Sequence, residues 1–297
     1  MAMSRDGNPI ETVGVRSSPM SRRSREKEAW RDEGGDPGIR PIAWWAMIEL
    51  LLIGIGSGNP DHLTLEAVKA LQTADLILAP VKGEAKSDLL EVRLAILAQH
   101  VSSPPARIVE FDMPVRDTSN PDYRDGVERW HDAVAAVWKR EIDAHLGPER
   151  GGRVALLVWG DPSLYDSTLR IAGRLARKLP LSVRVIPGLT SIQALTAAHR
   201  IALNEIGESV LITTGRRLAR QGWPAGVDTV VVMLDGETAF TKIEQEGVRI
   251  WWGAYLGLPQ EIVISGPLTE MSEGIARTRA AARAQNGWIM DIYLLRR

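Results

Sequence analysis

The chain has 297 residues, 44% hydrophobic and 25% charged, with a formal net charge of -1. That balance excludes a disordered polyelectrolyte and leaves no broad basic footprint for nucleic acid or an anionic membrane. The absence of cysteine excludes disulfides, thiolate metal ligands and cysteine nucleophiles, and no apolar run reaches the ~18 residues needed to span a bilayer. The expectation is a cytoplasmic protein with no nucleic-acid or membrane partner and no metal site.

Residues 1–46 are rich in Ser, Arg, Gly, Pro and acids without apolar periodicity, and are expected to be a disordered extension. The basic run Arg22 to Lys27 is followed at once by Glu28, Asp32 and Glu33, so it reads as a solvated tail. Met47 directly precedes the first strand and is a candidate start of translation. From Ile48 onward, short aliphatic runs alternate with helical periodicity, which defines an α/β chain.

In chain order, strands are predicted at 48–54, 74–79 and 106–110, with helices after the first Gly-rich turn and over 88–99 and 123–145. Pro148 to Gly152 reads as a hinge, which divides the chain into α/β domains at 47–150 and 151–297. Beyond it lie a strand at 153–160, a helix over 168–179, a strand at 181–188 and a helix from Ser191. Strands then follow at 210–213, 229–234, 249–255, 261–265 and 288–295. Helices thin out there, and a mixed parallel and antiparallel sheet is expected.

Three strand-to-helix turns carry the chemistry. GIGSGNPDHLT, Gly54 to Thr64, lets a ligand approach the backbone, but it reads GxGxG rather than the dinucleotide fingerprint, because Asn59 occupies the place of the third glycine. Asp75 starts the second strand, whereas a ribose-binding acid belongs at that strand's carboxyl end. In VWGDPSLYDS, Val158 to Ser167, Asp161 and Ser163 are ligand groups or helix caps; in IPGLTSIQALTAAH, Ile186 to His199, the same choice applies to Thr190. All three lie at strand carboxyl ends, where α/β sheets bind ligands.

Together with TTGRRL at Thr213 to Leu218, VVMLDGETAF at Val231 to Phe240 and WWGAYLGLPQEIVISG at Trp251 to Gly266, these blocks resemble the two-domain tetrapyrrole methyltransferase family from Ile48 to the end of the chain. The wording of the blocks is closest to its deacetylating, corrin-forming branch. The resemblance implies a homodimer, with S-adenosylmethionine held in a cleft between two α/β domains by Gly160, Asp161, Tyr165, Thr190, Ser191, Met233, Ala254 and Leu268. It further implies C-methylation of a precorrin with loss of its acetyl group. Ser57 stands where many members carry proline, so no cofactor contact is assigned there.

A ring bearing many carboxylates calls for cations in the cleft, and Lys82, Lys86, Arg116, Arg216 and Arg217 are the candidates. Deacetylation calls for a proton-transfer group, for which Asp61, His62, Glu84, Asp117 and Tyr123 are open choices. His199 is expected to be packed rather than catalytic, and tryptophans such as Trp44, Trp45, Trp251 and Trp252 to serve the core or an interface. A sister precorrin methyltransferase, a nicotinamide oxidoreductase and a non-catalytic binding module remain the alternatives.

Overall fold

The computed structural model describes residues 47–297, except 82–86, 102–105, 118, 120, 148 and 149. The expected disordered extension, the Met47 start and Trp44 and Trp45 therefore concern residues at or beyond the edge of the described chain. Strand β1 (Ile48–Gly54) leads through a 3₁₀ turn at Pro60–His62 into α1 (Leu65–Gln72), followed by β2 (Leu76–Val81), α2 (Ser87–His100) and β3 (Arg107–Asp112). Helix α3 (Tyr123–Leu146), β4 (Gly152–Val158), α4 (Thr168–Leu175) and β5 (Leu181–Ile186) complete the first half. These strands form one sheet in the order β3-β2-β4-β1-β5, with every pair parallel.

The alternation along β1 explains why its apolar run is unbroken. Leu50 and Leu52 face Val134 and Trp138 of α3 and Ile171 and Leu175 of α4, whereas Leu51 and Ile53 face Ala67 and Leu71 of α1 and Ile96 and Leu97 of α2. A parallel strand covered on both faces needs no polar side.

The second half contains α5 (Ser191–His199), β6 (Val210–Thr214), α6 (Gly215–Gln221), β7 (Thr229–Met233), β8 (Arg249–Ala254), β9 (Ile262–Pro267), α7 (Leu268–Asn286) and β10 (Asp291–Arg296). Its sheet order is β6-β7-β10-β8-β9; β6 runs parallel to β7 and the other pairs are antiparallel, giving the expected mixed sheet. One face packs against α7 through Ile275 and Ala282, and the other against Ile192 and Leu195 of α5.

Two expectations change. The hinge at Pro148 to Gly152 does not separate the sheets: β4 and β5 flank β1, and Val154 to Val158 are buried on both sides of the first sheet. The passage to the second sheet falls between β5 and β6, so 151–186 belongs with the first. The nineteen-residue α7 also fills a region where helices were expected to thin out.

His131 of α3 is 1% exposed, and neither ring nitrogen has a hydrogen-bond partner. Burial, aided by nearby Arg174, pushes its pKa below the usual histidine value, so the folded chain keeps it neutral. The unfolded chain takes up that proton at about pH 6.5, the folded one only further down, so stability is complete above pH 6.5 and falls as the pH drops below it. His131→Leu is expected to flatten the decline of melting temperature between pH 7 and pH 5, checked by thermal scans at each pH.

Candidate active site

The three Gly-bearing turns meet because β4, β1 and β5 are neighbours in the first sheet and all end on the same side. Gly56 N–H donates to the Gly160 carbonyl at 3.3 Å and Gly160 N–H to the Gly56 carbonyl at 2.8 Å, which stitches the first turn to the second. The third stacks directly on them. A Cβ at Gly188 would lie 2.3 Å from the Gly160 oxygen, and one at Gly54 would lie 2.5 Å from the Gly188 nitrogen. No side chain fits between them, so glycine is a condition of the convergence.

Asp161 locks the same turns. Its carboxylate accepts from Ser163 N–H at 2.8 Å and from the Ser163 hydroxyl, while its other oxygen accepts from Gly188 N–H at 3.0 Å. Burial alone would raise its pKa, yet the Ser163 and Gly188 bonds outweigh it and hold the carboxyl below the usual range. Asp161 thus ties two loops rather than capping α4, whose first N–H groups face Ser167 and Asp166. Thr190 does cap α5, accepting from Ile192 N–H while Gln193 returns a bond to Thr190 N–H.

Behind these turns opens a cavity of about 550 Å³, within the range of small-molecule sites. Gly160, Asp161, Tyr165, Thr190, Ser191 and Met233 line it, together with Ser57, to which the sequence assigned no contact, and with Trp159, Tyr255, Leu256, Arg279 and Arg283, which the sequence did not single out. Ala254 and Leu268 do not line it. Both are fully buried in the second sheet's core: Ala254 shares the inward face of β8 with Ile250 and Trp252, after which the chain offers Tyr255 and Leu256 to the cavity, and Leu268 is packed at the start of α7.

Strain is concentrated on this wall. Tyr165, Leu234 and Tyr255 all have left-handed backbones, at φ of 50°, 52° and 53°, and all three line the cavity. Such residues persist only where their surroundings hold them. Tyr255 OH donates to the Trp288 carbonyl at 2.6 Å, Tyr165 OH reaches the Ile212 carbonyl at 3.3 Å, and the Arg279 guanidinium holds the Asp235 carbonyl, next to Leu234, at 2.6 Å.

The floor is a buried polar network. Arg279 Nε lies 2.8 Å from Asp291, which also accepts from Trp252 Nε1 at 3.0 Å, and Tyr293 OH donates to Asp235 at 2.6 Å. Burial disfavours the Arg279 charge, but Asp291 and Asp235 outweigh it and keep it firmly protonated. Burial, reinforced by Asp235, drives the Tyr293 hydroxyl far above its ordinary value, so it remains a donor. Arg93, 8% exposed, sits 5.1 Å from the Trp159 ring, and burial brings its pKa down to about 10, still a cation at neutral pH.

The cation candidates separate. Arg116 and Arg216 lie against one ring, that of Tyr123, at 5.0 and 5.4 Å; Arg217 bonds Gln221 on its own helix, and Lys82 and Lys86 lie outside the described residues. Among the proton-transfer candidates, Asp61, His62, Asp117 and Tyr123 are absent from the cavity wall, and Glu84 lies outside the described residues. His199 is packed, its Nε2 3.0 Å from the Trp252 carbonyl. Trp252 is fully buried, and Trp251 lies beneath Arg249 and Arg296. Asp75 accepts from Arg153 N–H at the amino end of β4, remote from the turns that a nicotinamide ribose would need.

Residues 49–272 match the profile of the Tetrapyrrole (Corrin/Porphyrin) Methylases, and the chain belongs to that family. It is a methyltransferase. It is 51% identical over 253 residues to precorrin-6A synthase [deacetylating] of Sinorhizobium sp, covering 84% of this chain and 96% of that one. Precorrin-2 C(20)-methyltransferase of Sinorhizobium sp is 30% identical over 194 residues, covering 57% of this chain and 69% of that one. Among solved structures, a cobalamin synthesis related protein (CobF) of Corynebacterium diphtheriae aligns with TM-score 0.70 and 40% identity, covering 84% of this chain and 99% of that one. Uroporphyrin-III C-methyltransferase of Thermus thermophilus, complexed with S-adenosylhomocysteine, shares the fold at TM-score 0.53 and 21% identity, covering 83% of this chain and 96% of that one.

Proposed function

We propose that the cavity binds S-adenosylmethionine and that the chain methylates precorrin-5 at C-1 to give precorrin-6A, with the acetyl group leaving as acetate. The observation that carries this is the convergence of Gly160, Asp161, Thr190, Ser191 and Met233 on one cavity in a chain 51% identical to a precorrin-6A synthase over nearly that enzyme's whole length. The residues suit the cofactor. Ser57 Oγ and Trp159 Nε1, both on cavity-lining residues, are buried without hydrogen-bond partners among the described residues, leaving polar capacity for a ligand. Apolar Leu164, Met233 and Leu256 offer surface for an adenine and a methionine chain.

When bound, the cofactor supplies an activated methyl group with a good leaving group. The protein's part is to fix distance and angle, which the interlocked turns do through backbone groups rather than mobile side chains. Asp161 keeps the turns aligned. Tyr165 and Leu234, 45% and 65% exposed at the rim, offer apolar contact to the face of a macrocycle. Arg116, Arg216 and Arg217, with Lys82 and Lys86, supply positive charge for its carboxylates. Two α/β lobes, an N-terminal extension ahead of Met47 and a cytoplasmic homodimer complete the reading. Val183 and Val185 on edge strand β5, and Leu211 and Ile212 on edge strand β6, are exposed apolar residues that a second copy would cover.

Calorimetry should show S-adenosylhomocysteine binding and NADH not binding. Incubation with precorrin-5 and S-adenosylmethionine should then give a product that has gained a methyl and lost an acetyl group by mass, with acetate released. Binding of NADH instead would favour the oxidoreductase, and a methyl gain with the acetyl retained would favour a sister enzyme.

A further inference from the structure

Tyr123 is the first residue of α3, whose N-terminus is capped by Asp122 through bonds from Arg124 and Asp125 N–H. Its ring is 57% exposed. Two guanidinium groups come to it from different parts of the fold. Arg116, in the loop after β3 of the first sheet, lies 5.0 Å from the ring centroid, and Arg216, in the first turn of α6 beside the second sheet, lies 5.4 Å away. The ring therefore joins one cation from each half.

Neither arginine makes an ion pair among the described residues; Lys242, helped by the Arg216 charge, holds the Glu237 carboxyl below its usual range without Arg216 pairing with it, and the acids nearby have other partners. Asp117 accepts from Ser119, Asp122 caps α3, Asp125 pairs with Arg129 at 2.9 Å and Glu237 pairs with Lys242 at 2.6 Å. Two like charges on one ring stand within about a Debye length, ~10 Å, and repel. An exposed cation–π contact is too weak to make their gathering a source of stability. An anion bearing two negative groups turns that repulsion into attraction. Val115, 95% exposed beside Arg116, adds an apolar contact to the cationic edge. A flat ring with carboxylates on its rim has both properties.

We infer that Tyr123 is a positioning residue for the acceptor: its ring holds Arg116 and Arg216 as a two-armed clamp, one arm from each sheet, for two carboxylates on the macrocycle rim. This rests on the acceptor class proposed above. The clamp selects acceptors by carboxylate spacing, because the arms share one anchor. It also gives the Tyr123 hydroxyl no part in proton transfer.

The test compares Tyr123→Leu, Tyr123→Phe, Arg116→Gln and Arg216→Gln in the full chain. Three readings are taken: S-adenosylhomocysteine affinity, KM and kcat for precorrin-5, and fluorescence-detected binding of uroporphyrin, a carboxylate-bearing tetrapyrrole that reports the clamp without methyl transfer. Tyr123→Leu should raise KM and the uroporphyrin Kd about five- to tenfold, as expected for loss of a cation–π anchor, with S-adenosylhomocysteine affinity unchanged and kcat within about twofold. Tyr123→Phe keeps the aromatic face and should restore both constants. Each arginine variant should raise them alone, and more weakly once Tyr123 is Leu. Wild-type KM and uroporphyrin Kd in Tyr123→Leu would overturn the clamp, as would a Tyr123→Phe variant in which both constants rise as far as they do in Tyr123→Leu. Failure of the wild type to bind S-adenosylhomocysteine would instead strike the proposed function, while uroporphyrin binding still judges the clamp.

Discussion

Gly188→Ala is expected to weaken S-adenosylhomocysteine binding and to cut the rate of methyl transfer about 100-fold, because a misplacement near 1 Å of groups that orient a reacting centre costs that much in rate. The new Cβ would sit 2.3 Å from the Gly160 oxygen and 2.7 Å from the Gly54 carbonyl carbon, both backbone atoms that cannot rotate away. The turns must part, and with them goes the Gly188 N–H that Asp161 accepts at 3.0 Å. Overpacking should also cost about 1–3 kcal/mol of stability. Gly173→Ala is the internal contrast. It lies within α4, where an added Cβ meets nothing within 4 Å, and alanine there should stabilise the chain by about 0.5–1 kcal/mol. Denaturant titration and calorimetry on the two variants separate the geometric requirement from any general intolerance of change at glycine.

The contrast also shows what the sequence revealed. Both glycines sit in strand-helix units, yet only the one after Pro187 at a strand's carboxyl end marks a close approach, and that context was legible. So were the strands, because β1, β4 and β7 are apolar runs of strand length, and so was the mixed character of the second sheet. The cavity-lining residues on turns emerged for the same reason: Gly160, Asp161, Thr190 and Ser191 follow strands directly, and the sheet order carries them together.

What escaped was long-range. Helix α7 was missed because its N-terminus has no side-chain cap and Pro267 stands in that place, although its Ala, Arg and Glu content and the Gly287 that ends it were usable signals. With α7 went Arg279 and Arg283. Trp159 lay inside a quoted motif but was read as strand rather than wall. Ala254 and Leu268 miss the cavity wall: Ala254 is the last residue of β8 and packs in the core just before the left-handed Tyr255, and Leu268 is buried at the start of α7. The hinge was misplaced for a related reason. A Pro-Gly stretch says that the chain turns, not which sheet it rejoins.

Asp291→Ala is expected to destabilise the chain by about 3–5 kcal/mol, since removing one member of a buried ion pair strands the other. Asp291 is 6% exposed at its side chain and accepts from both Arg279 and Trp252, so alanine leaves a buried guanidinium and an indole N–H without their acceptor. Arg279→Leu should cost a similar amount by stranding the carboxylate. Replacing both, as Arg279→Leu with Asp291→Asn, should recover much of that stability, because the desolvation of two charges is no longer offset or required. Ligand affinity should not recover with it. Arg279 also holds the Asp235 carbonyl at 2.6 Å, beside the strained Leu234, and leucine offers that carbonyl no donor. The left-handed turn would then relax and alter the wall that Met233 and Gly236 share. Chemical denaturation together with S-adenosylhomocysteine calorimetry on the two single variants and the double variant decides it: full recovery of both stability and affinity would mean that the pair holds the fold and nothing more.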